Sequence, residues 1–369
     1  MRAAVLQQVG DTKLVVRDDV RIVDPGPGEV RVRVSAAGIC HSDLSAMNGT
    51  LPQPVPAVLG HEGAGEVVEV GPGVSDLRPG DQVIICWVPP CGRCRACIRG
   101  QPNLCLVFAA KASAEPKFLV DGSPAFGMVG TGTFAEELVV PQQGAVKVDD
   151  DVPAEVAALV GCGVMTGVGA VVNTALLEAG SSVVVYGAGG VGISVIQGAR
   201  AAGAAEILAV DPVERKLSWA REFGATHTAT PEEFSEVSRA LTGGEGFDYA
   251  FEAVGRSETI RAAYDATRRG GMTVIVGAGS VRDMVQFSAF ELFFTERTIK
   301  GTLYGSANVR RDYARVLRMW RAGRLDLEGM ITRRISLEEV NSGFDALSGG
   351  AVIRQIVQFA RSDLTKAMG

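Results

Sequence analysis

Four cysteines fall within a single stretch, CGRCRACIRGQPNLC, at Cys91, Cys94, Cys97 and Cys105. Zinc in a structural site takes four ligands in a tetrahedron, and four thiolates close that shell. The two-residue gaps let successive thiolates face one centre, and the longer last gap lets the loop return with the fourth. No coordination position remains for substrate, so such an ion would hold the fold. An iron–sulfur cluster is the rival reading. Bacterial ferredoxins use a shorter final gap followed by proline, whereas Leu106 follows Cys105 here. Four unrelated buried thiols are the plainest alternative, and disulfides require an oxidising compartment.

Three further pieces carry metal-ligand types. They are GICHSDL (Cys40, His41, Ser42, Asp43), GHEGAGEV (His61, Glu62) and GCGVMTG (Cys162, Thr166). Alone, each reads as a small buried thiol or a hydrogen-bonded imidazole. Yet the chain has only 3 histidines, and two of them lie in these pieces. Two cysteines and one histidine form an established catalytic zinc set, with an exchangeable water in the fourth position. Cys40, His61 and Cys162 can supply it.

A third signal is Gly187-x-Gly189-x-x-Gly192, with Gly190 and Val191 inside the turn. It lies between an apolar strand and a helical pattern, the context that a dinucleotide fingerprint requires. The helix N-terminus would face the pyrophosphate. Asp211 closes the next strand, at the spacing where an acid bonds the ribose hydroxyls and repels a 2'-phosphate, which favours NAD. A helix N-cap before Pro212 is the alternative for Asp211.

These residues need elements to position them. With 369 residues, the chain exceeds the size at which one core stops growing, so two domains are expected. In EVRVRVSAAG, Val30, Val32 and Val34 alternate with polar residues as in a half-buried strand. GEVVEVG and DQVIICW are further short strands. Beyond about residue 165 the pattern alternates: strand SSVVVY, helix ISVIQGARAAG, strand EILAVD, helix PVERKLSWAREFGA, then strands in GFDYAFEAVG and GGMTVIVGAG. Such alternation implies a parallel sheet. A helix in DYARVLRMWRAG and a strand in IRQIVQF end the chain. The net charge of -6 argues against nucleic acid as a partner. The first residues carry no signal-like apolar run, and no long stretch is free of charges or glycine clusters. A soluble, cytoplasmic protein without a membrane span is expected.

The ordered set GICHSD, GHEGAGEV, CGRCRAC, GCGVMTG and YGAGGVG resembles the zinc-dependent medium-chain alcohol dehydrogenases over essentially the whole length. The resemblance implies an α/β protein. A β-rich, GroES-like catalytic domain (1–163 and 304–369) would hold both zinc sites, and a Rossmann coenzyme domain (164–303) would bind NAD. It implies a catalytic zinc on Cys40, His61 and Cys162, with Glu62 behind the metal and Asp43 bonding the histidine. It implies a structural zinc on Cys91, Cys94, Cys97 and Cys105. His41 and Arg354 would meet the pyrophosphate, Lys216 the ribose, and Thr166 the nicotinamide. Ser42 would pass the alcohol proton towards the ribose. Several family members carry a histidine five residues after the first zinc cysteine; Ser45 stands there in this chain.

The same resemblance implies a substrate pocket lined by Trp87, Met128, Val129, Ala278 and Leu303. Their apolar character suits a primary aliphatic, allylic or aromatic alcohol, oxidised reversibly to an aldehyde. The glutathione-dependent formaldehyde dehydrogenases carry an acid where this chain has Thr50 and Leu51, which weighs against a thiol adduct. The polyol dehydrogenases of the family usually lack the four-cysteine loop, and its presence here weighs against a polyol. A nicotinoprotein with tightly held NAD and a thiol-dependent formaldehyde dehydrogenase are the alternatives; an NAD-binding protein without activity is a further one. The Phe-rich segment MVQFSAFELFFTERTIKGTLYG is expected either to pair with a twofold mate, giving a homodimer, or to be core. A tetramer is the other assembly considered.

Overall fold

The computed structural model describes residues 1–359, with backbone alone at 108, 109 and 113. Three sheets organise it. The first has six strands, ordered 15–17, 3–6, 57–58, 123–127, 118–120 and 21–22. The second has seven strands. Its path runs 145–147, 82–85, 62–70, 29–38, 354–358 and 331–335, and Glu137–Pro141 also pairs with Glu29–Gly38. These two sheets enclose one apolar core, in which Val30, Val32, Val34, Phe118, Phe134 and Leu138 are buried. The alternation read in EVRVRVSAAG is the burial pattern of the strand Glu29–Gly38, whose valines face inward. The C-terminal strand Arg354–Gln358 returns to pair antiparallel with that strand, placing Ile356 opposite Gly38.

The third sheet is wholly parallel, in the order 227–229, 206–210, 182–186, 247–252, 267–275 and 298–301. Numbered along the chain this is 3-2-1-4-5-6, the Rossmann order. The chain is therefore an α/β protein with a GroES-like and a Rossmann part, as the motifs implied. The helix after the glycine turn spans Gly190–Ala202 and starts three residues before the apolar pattern does. The reason is local: the glycines themselves form its first turn. The strand read as GEVVEVG begins earlier as well, at Glu62, directly after His61.

One large element was not anticipated. Residues Ala154–Ala175 form a continuous helix. It is long and apolar enough to cross a membrane, but 83% of its apolar window is buried inside the protein. It packs between the second sheet and the helix Gly190–Ala202. Glycines at 161, 163, 167 and 169 hide it from a pattern reading and explain its fit. A Cβ on Gly167 would stand 2.5 Å from the Ser194 side chain. Two stretches, Val160–Val164 and Ala170–Ala175, are widened into π-helix, and the first carries Cys162. Such widenings recur at functional sites.

A Cβ added at Gly192 would collide with the carbonyl oxygen of Gly187, a backbone atom that cannot swing aside. Gly192→Ala should therefore lower stability by about 1–3 kcal/mol, the usual cost of overpacking. Thermal unfolding against the unmodified protein measures it.

Candidate functional site

The four loop cysteines converge. Cys91 and Cys97 Sγ lie 4.0 Å apart, and Cys94 and Cys105 Sγ lie 3.8 Å apart. A regular tetrahedron with metal–sulfur bonds of about 2.3 Å has edges of about 3.8 Å. The sulfurs are thus spaced to share a metal, and all seven cysteines are free thiols. The loop reaches this shape through its own backbone. The amides of Cys91 and Cys94 donate to Cys105 Sγ and Cys91 Sγ, at 3.4 and 3.3 Å. Hydrogen bonds from the Arg93 and Cys94 backbone pull the Cys91 thiol down to about 6. Desolvation and neighbouring sulfurs push Cys97 up to about 12. Only a cation can hold all four as thiolates, so the donor set fits zinc.

Cys40, His61, Glu62 and Cys162 form the second cluster, all buried, with ligand atoms within 4.8 Å of one another. Three separate elements deliver them. Cys40 precedes the helix His41–Met47, His61 precedes the strand Glu62–Val70, and Cys162 rides the π-widened turn. Asp43, fully buried, ties two of these together. Its Oδ2 accepts from the Cys40 amide at 2.9 Å, and its Oδ1 accepts from the Gly60 amide at 3.1 Å. His61 Nδ1 lies 3.4 Å from the same Oδ1. A ring that donates from Nδ1 keeps its Nε2 lone pair for a metal. Burial opposes the charged imidazole, but Asp43 and Cys40 together hold His61 well above its ordinary pKa.

Cys162 and the imidazole together draw the Cys40 thiol well below its usual range, while Cys40 and burial push Cys162 well above it. Two soft thiolates and an imidazole in a dry pocket are the chemistry of an open zinc site, and the donors fit it.

Glu62 and Arg354 form a buried ion pair behind this cluster, at 0% and 5% side-chain exposure. Burial pushes the Glu62 carboxyl up to about 7, against the pull of Arg354. Burial opposes the Arg354 charge, but Glu62 and the two cluster cysteines more than offset it and raise the guanidinium pKa further. The Arg354 side chain fills the space beside Gly163 and Gly190. Arg354 thus spans from the metal cluster to the glycine turn, buried rather than solvated. His41, by contrast, is exposed at the start of its helix.

The glycine turn divides by cause. Gly187 has φ 92°, which demands glycine. Gly190 and Gly192 are pressed by Arg354 and by the Gly187 carbonyl. Gly189 has an ordinary φ of -81°, and a Cβ there would meet nothing within 4 Å. Its glycine leaves open space at a helix N-terminus, where a pyrophosphate approaches. Asp211 Oδ2 accepts from the Ala188 amide at 2.9 Å, and Oδ1 accepts from the Val213 amide at 3.0 Å. The acid therefore braces the glycine turn and the segment before the helix Glu214–Glu222, but that helix is capped at Val213 without a side-chain bond, so Asp211 is not its N-cap. Lys216 Nζ stands 3.7 Å from it.

The expected pocket residues are less unified. Trp87 meets the His61 ring edge-on at 6.3 Å between centroids. Met128 is buried, while Val129, Ala278 and Leu303 are exposed. A cavity of about 220 Å³ takes in Val129 but none of the other four; Cys86, Pro89, Thr131 and Lys117 line it as well. Ser42 Oγ lies 3.7 Å from Cys40 Sγ, and Thr166 follows Cys162 by one helical turn. The sequence reading missed Tyr304 and Tyr313, whose buried hydroxyls meet at the Gly161 carbonyl. It also missed Cys86, which burial pushes up to about 12.

A GroES-like fold with a two-thiolate, one-imidazole cluster beside a Rossmann sheet defines a zinc-type dehydrogenase. The comparisons agree. Residues 26–150 match the alcohol dehydrogenase GroES-like domain, and residues 190–321 match the zinc-binding dehydrogenase domain. A Mycobacterium tuberculosis protein provisionally named alcohol dehydrogenase D is 43% identical, over 96% of this chain and 98% of its own. An NDMA-dependent alcohol dehydrogenase of Amycolatopsis methanolica is 41% identical, over 96% and 98%. The S-(hydroxymethyl)glutathione dehydrogenase of Paracoccus denitrificans is 37% identical, over 97% and 99%. Among solved structures, the benzyl alcohol dehydrogenase of Acinetobacter calcoaceticus has a TM-score of 0.90 at 30% identity, over 97% and 99%. A provisionally named zinc-binding dehydrogenase of Sinorhizobium meliloti, solved with NADP, has a TM-score of 0.78 at 29% identity, over 97% and 99%. The chain belongs to the zinc-dependent medium-chain alcohol dehydrogenase family.

Metal analysis tests the two clusters separately. The unmodified protein should hold two zinc ions per chain. Cys40→Ala should lose one of them and keep its fold, while Cys97→Ser should lose the other. Gly189→Ala should leave thermal stability unchanged and weaken coenzyme binding about tenfold or more, read by fluorescence titration.

Proposed function

We propose that this alcohol dehydrogenase oxidises a primary aliphatic, allylic or aromatic alcohol reversibly to its aldehyde, with NAD as hydride acceptor. The observation that carries the reading is the buried convergence of Cys40, His61 and Cys162 near the glycine turn. Zinc held there supplies Lewis acidity towards an alcohol hydroxyl, and NAD bound at the turn accepts the hydride. The chain's residues do the rest. Ser42, at the edge of the cluster, takes the alcohol proton and passes it towards the coenzyme ribose. Ser45, buried one turn on in the same helix, stands where relatives use histidine, so the proton leaves by ribose, Ser45 and water. Arg354 and His41 face the pyrophosphate, and Asp211 with Lys216 receives the ribose. Asp211 favours NAD over its 2'-phosphorylated form through charge repulsion. Trp87 supplies an apolar wall beside the imidazole.

The NDMA-dependent relative favours a second reading, in which NAD stays bound through the cycle and an external acceptor removes the electrons. The thiol-dependent reading is disfavoured by Thr50 and Leu51, despite the similarity to a glutathione-linked relative.

The free edge of the parallel sheet supports a homodimer. Strand Thr298–Gly301 is exposed along its length, beside Phe290, Phe293 and Phe294 at 67%, 77% and 50% exposure. Exposed apolar groups of this size beside a strand with one unpaired edge suit a second copy of the chain.

Initial rates over a panel of alcohols, with NAD and with an artificial acceptor as parallel arms, test the reaction. Turnover of benzyl or medium-chain alcohols with added NAD is expected. Turnover with the artificial acceptor alone, in protein that already absorbs in the nicotinamide bands, would establish the second reading instead. Cys40→Ala should abolish turnover while sparing NAD binding; an active variant would exclude the mechanism. Light scattering should give twice the chain mass, and Phe293→Asp should shift it towards the monomer.

A further inference from the structure

Tyr304 places a buried hydroxyl against the Gly161 carbonyl, on the peptide that leads into the metal-cluster residue Cys162. The tyrosine follows Leu303, is 2% exposed, and holds a left-handed conformation at φ 58°. Residues with a side chain rarely adopt it, and such outliers persist only where the surroundings over-determine them. Gly305 next to it is pressed against the Met165 and Thr166 carbonyls of the long helix. The turn is therefore pinned to the helix that carries Cys162.

The Tyr304 ring lies on Trp87, at 4.7 Å between centroids. That packing needs only a phenyl ring. The hydroxyl has a separate function: it donates to the Gly161 carbonyl oxygen and meets the hydroxyl of Tyr313, itself 1% exposed on the helix Val309–Arg321. Tyr313 Oη is also 3.4 Å from the same carbonyl. Two buried hydroxyls in series polarise each other and strengthen the terminal bond. That bond ends on the peptide joining Gly161 to Cys162. A peptide is planar, so fixing its oxygen fixes the tilt of the nitrogen and Cα that carry the Cys162 thiol.

We propose that Tyr304 is a positioning residue for the open metal site, with Tyr313 orienting its hydroxyl. The hydroxyl holds the Gly161–Cys162 peptide and so sets where Cys162 Sγ stands relative to Cys40 and His61. The inference rests on reading those three residues as the metal ligands. Groups that orient ligands from outside typically contribute 10–100-fold in metal affinity or activity.

The test uses the full-length protein with cobalt(II) in place of zinc, and compares it with Tyr304→Phe. The spectrum of Cys40→Ala, which retains only the four-cysteine site, is subtracted from each. In Tyr304→Phe the thiolate-to-cobalt bands of the open site should shift or weaken. A chelator should remove that metal about tenfold more readily, and kcat should fall while KM for NAD is unchanged. The four-cysteine bands should not move. Tyr313→Phe should act in the same direction but less, because Tyr304 keeps its bond to Gly161. A folded Tyr304→Phe with unaltered bands and kcat overturns the positioning role. If that variant does not fold, an unaltered spectrum in Tyr313→Phe does so. Absence of open-site bands in the unmodified protein would instead remove the metal reading itself, and the inference with it.

Discussion

Electron-rich donors brought together where water is excluded repel one another, and the architecture of this protein follows from that problem. Cys40, His61 and Cys162 are buried with their ligand atoms within 4.8 Å. At an effective dielectric of about 20, two thiolates that close repel by roughly 3 kcal/mol or more. The opposite displacement of the two thiols, one down and one up, expresses the same conflict. A divalent cation resolves it, and the surrounding residues are arranged as though one were expected. Asp43 leaves one face of the imidazole free. Glu62 and Arg354 balance each other one layer behind.

Each donor comes from an element held by an independent core. The strand Glu29–Gly38 ends just before Cys40 and pairs with the strand that begins after His61, so one sheet register sets their separation. Cys162 comes from the far side, on a helix wedged between that sheet and the Rossmann part. Because its small residues allow close approach, the helix can carry a thiol into the cluster without opening a gap. Arg354 returns on the last strand and reaches both the carboxylate behind the metal site and the glycine turn. Arg354 and Glu62 are on the same sheet, and through Arg354 that sheet reaches the glycine turn of the Rossmann part. The structural loop is different in kind. Its four sulfurs are nearly local in sequence, organised by their own backbone amides, and need little from the rest of the fold.

Much of this was legible without coordinates. Ligand spacing in the cysteine loop depends on a few intervening residues, so short-range geometry determines it. The strand–turn–helix setting of GAGGVG is likewise local, and so is the alternation of Val30, Val32 and Val34. Cys40, His61 and Cys162 could be nominated by type, and the order of their motifs identified the family and both halves of the fold. The long helix Ala154–Ala175 was hidden, because its glycines, which a propensity reading counts as breaks, are demanded by close packing against partners far along the chain. Only the tertiary structure decided that Arg354 is buried against Glu62 rather than solvated, that Asp211 braces the glycine turn as well as ending a strand, and that Tyr304 and Tyr313 meet at Gly161. It also left the expected pocket residues unequal, with Trp87 beside the imidazole and Val129, Ala278 and Leu303 exposed. The physical reason is common to these cases. A local pattern records what a residue can do with its neighbours in sequence, whereas burial, ion pairing and the target of a hydroxyl depend on which distant segments the packed sheets and helices bring alongside it.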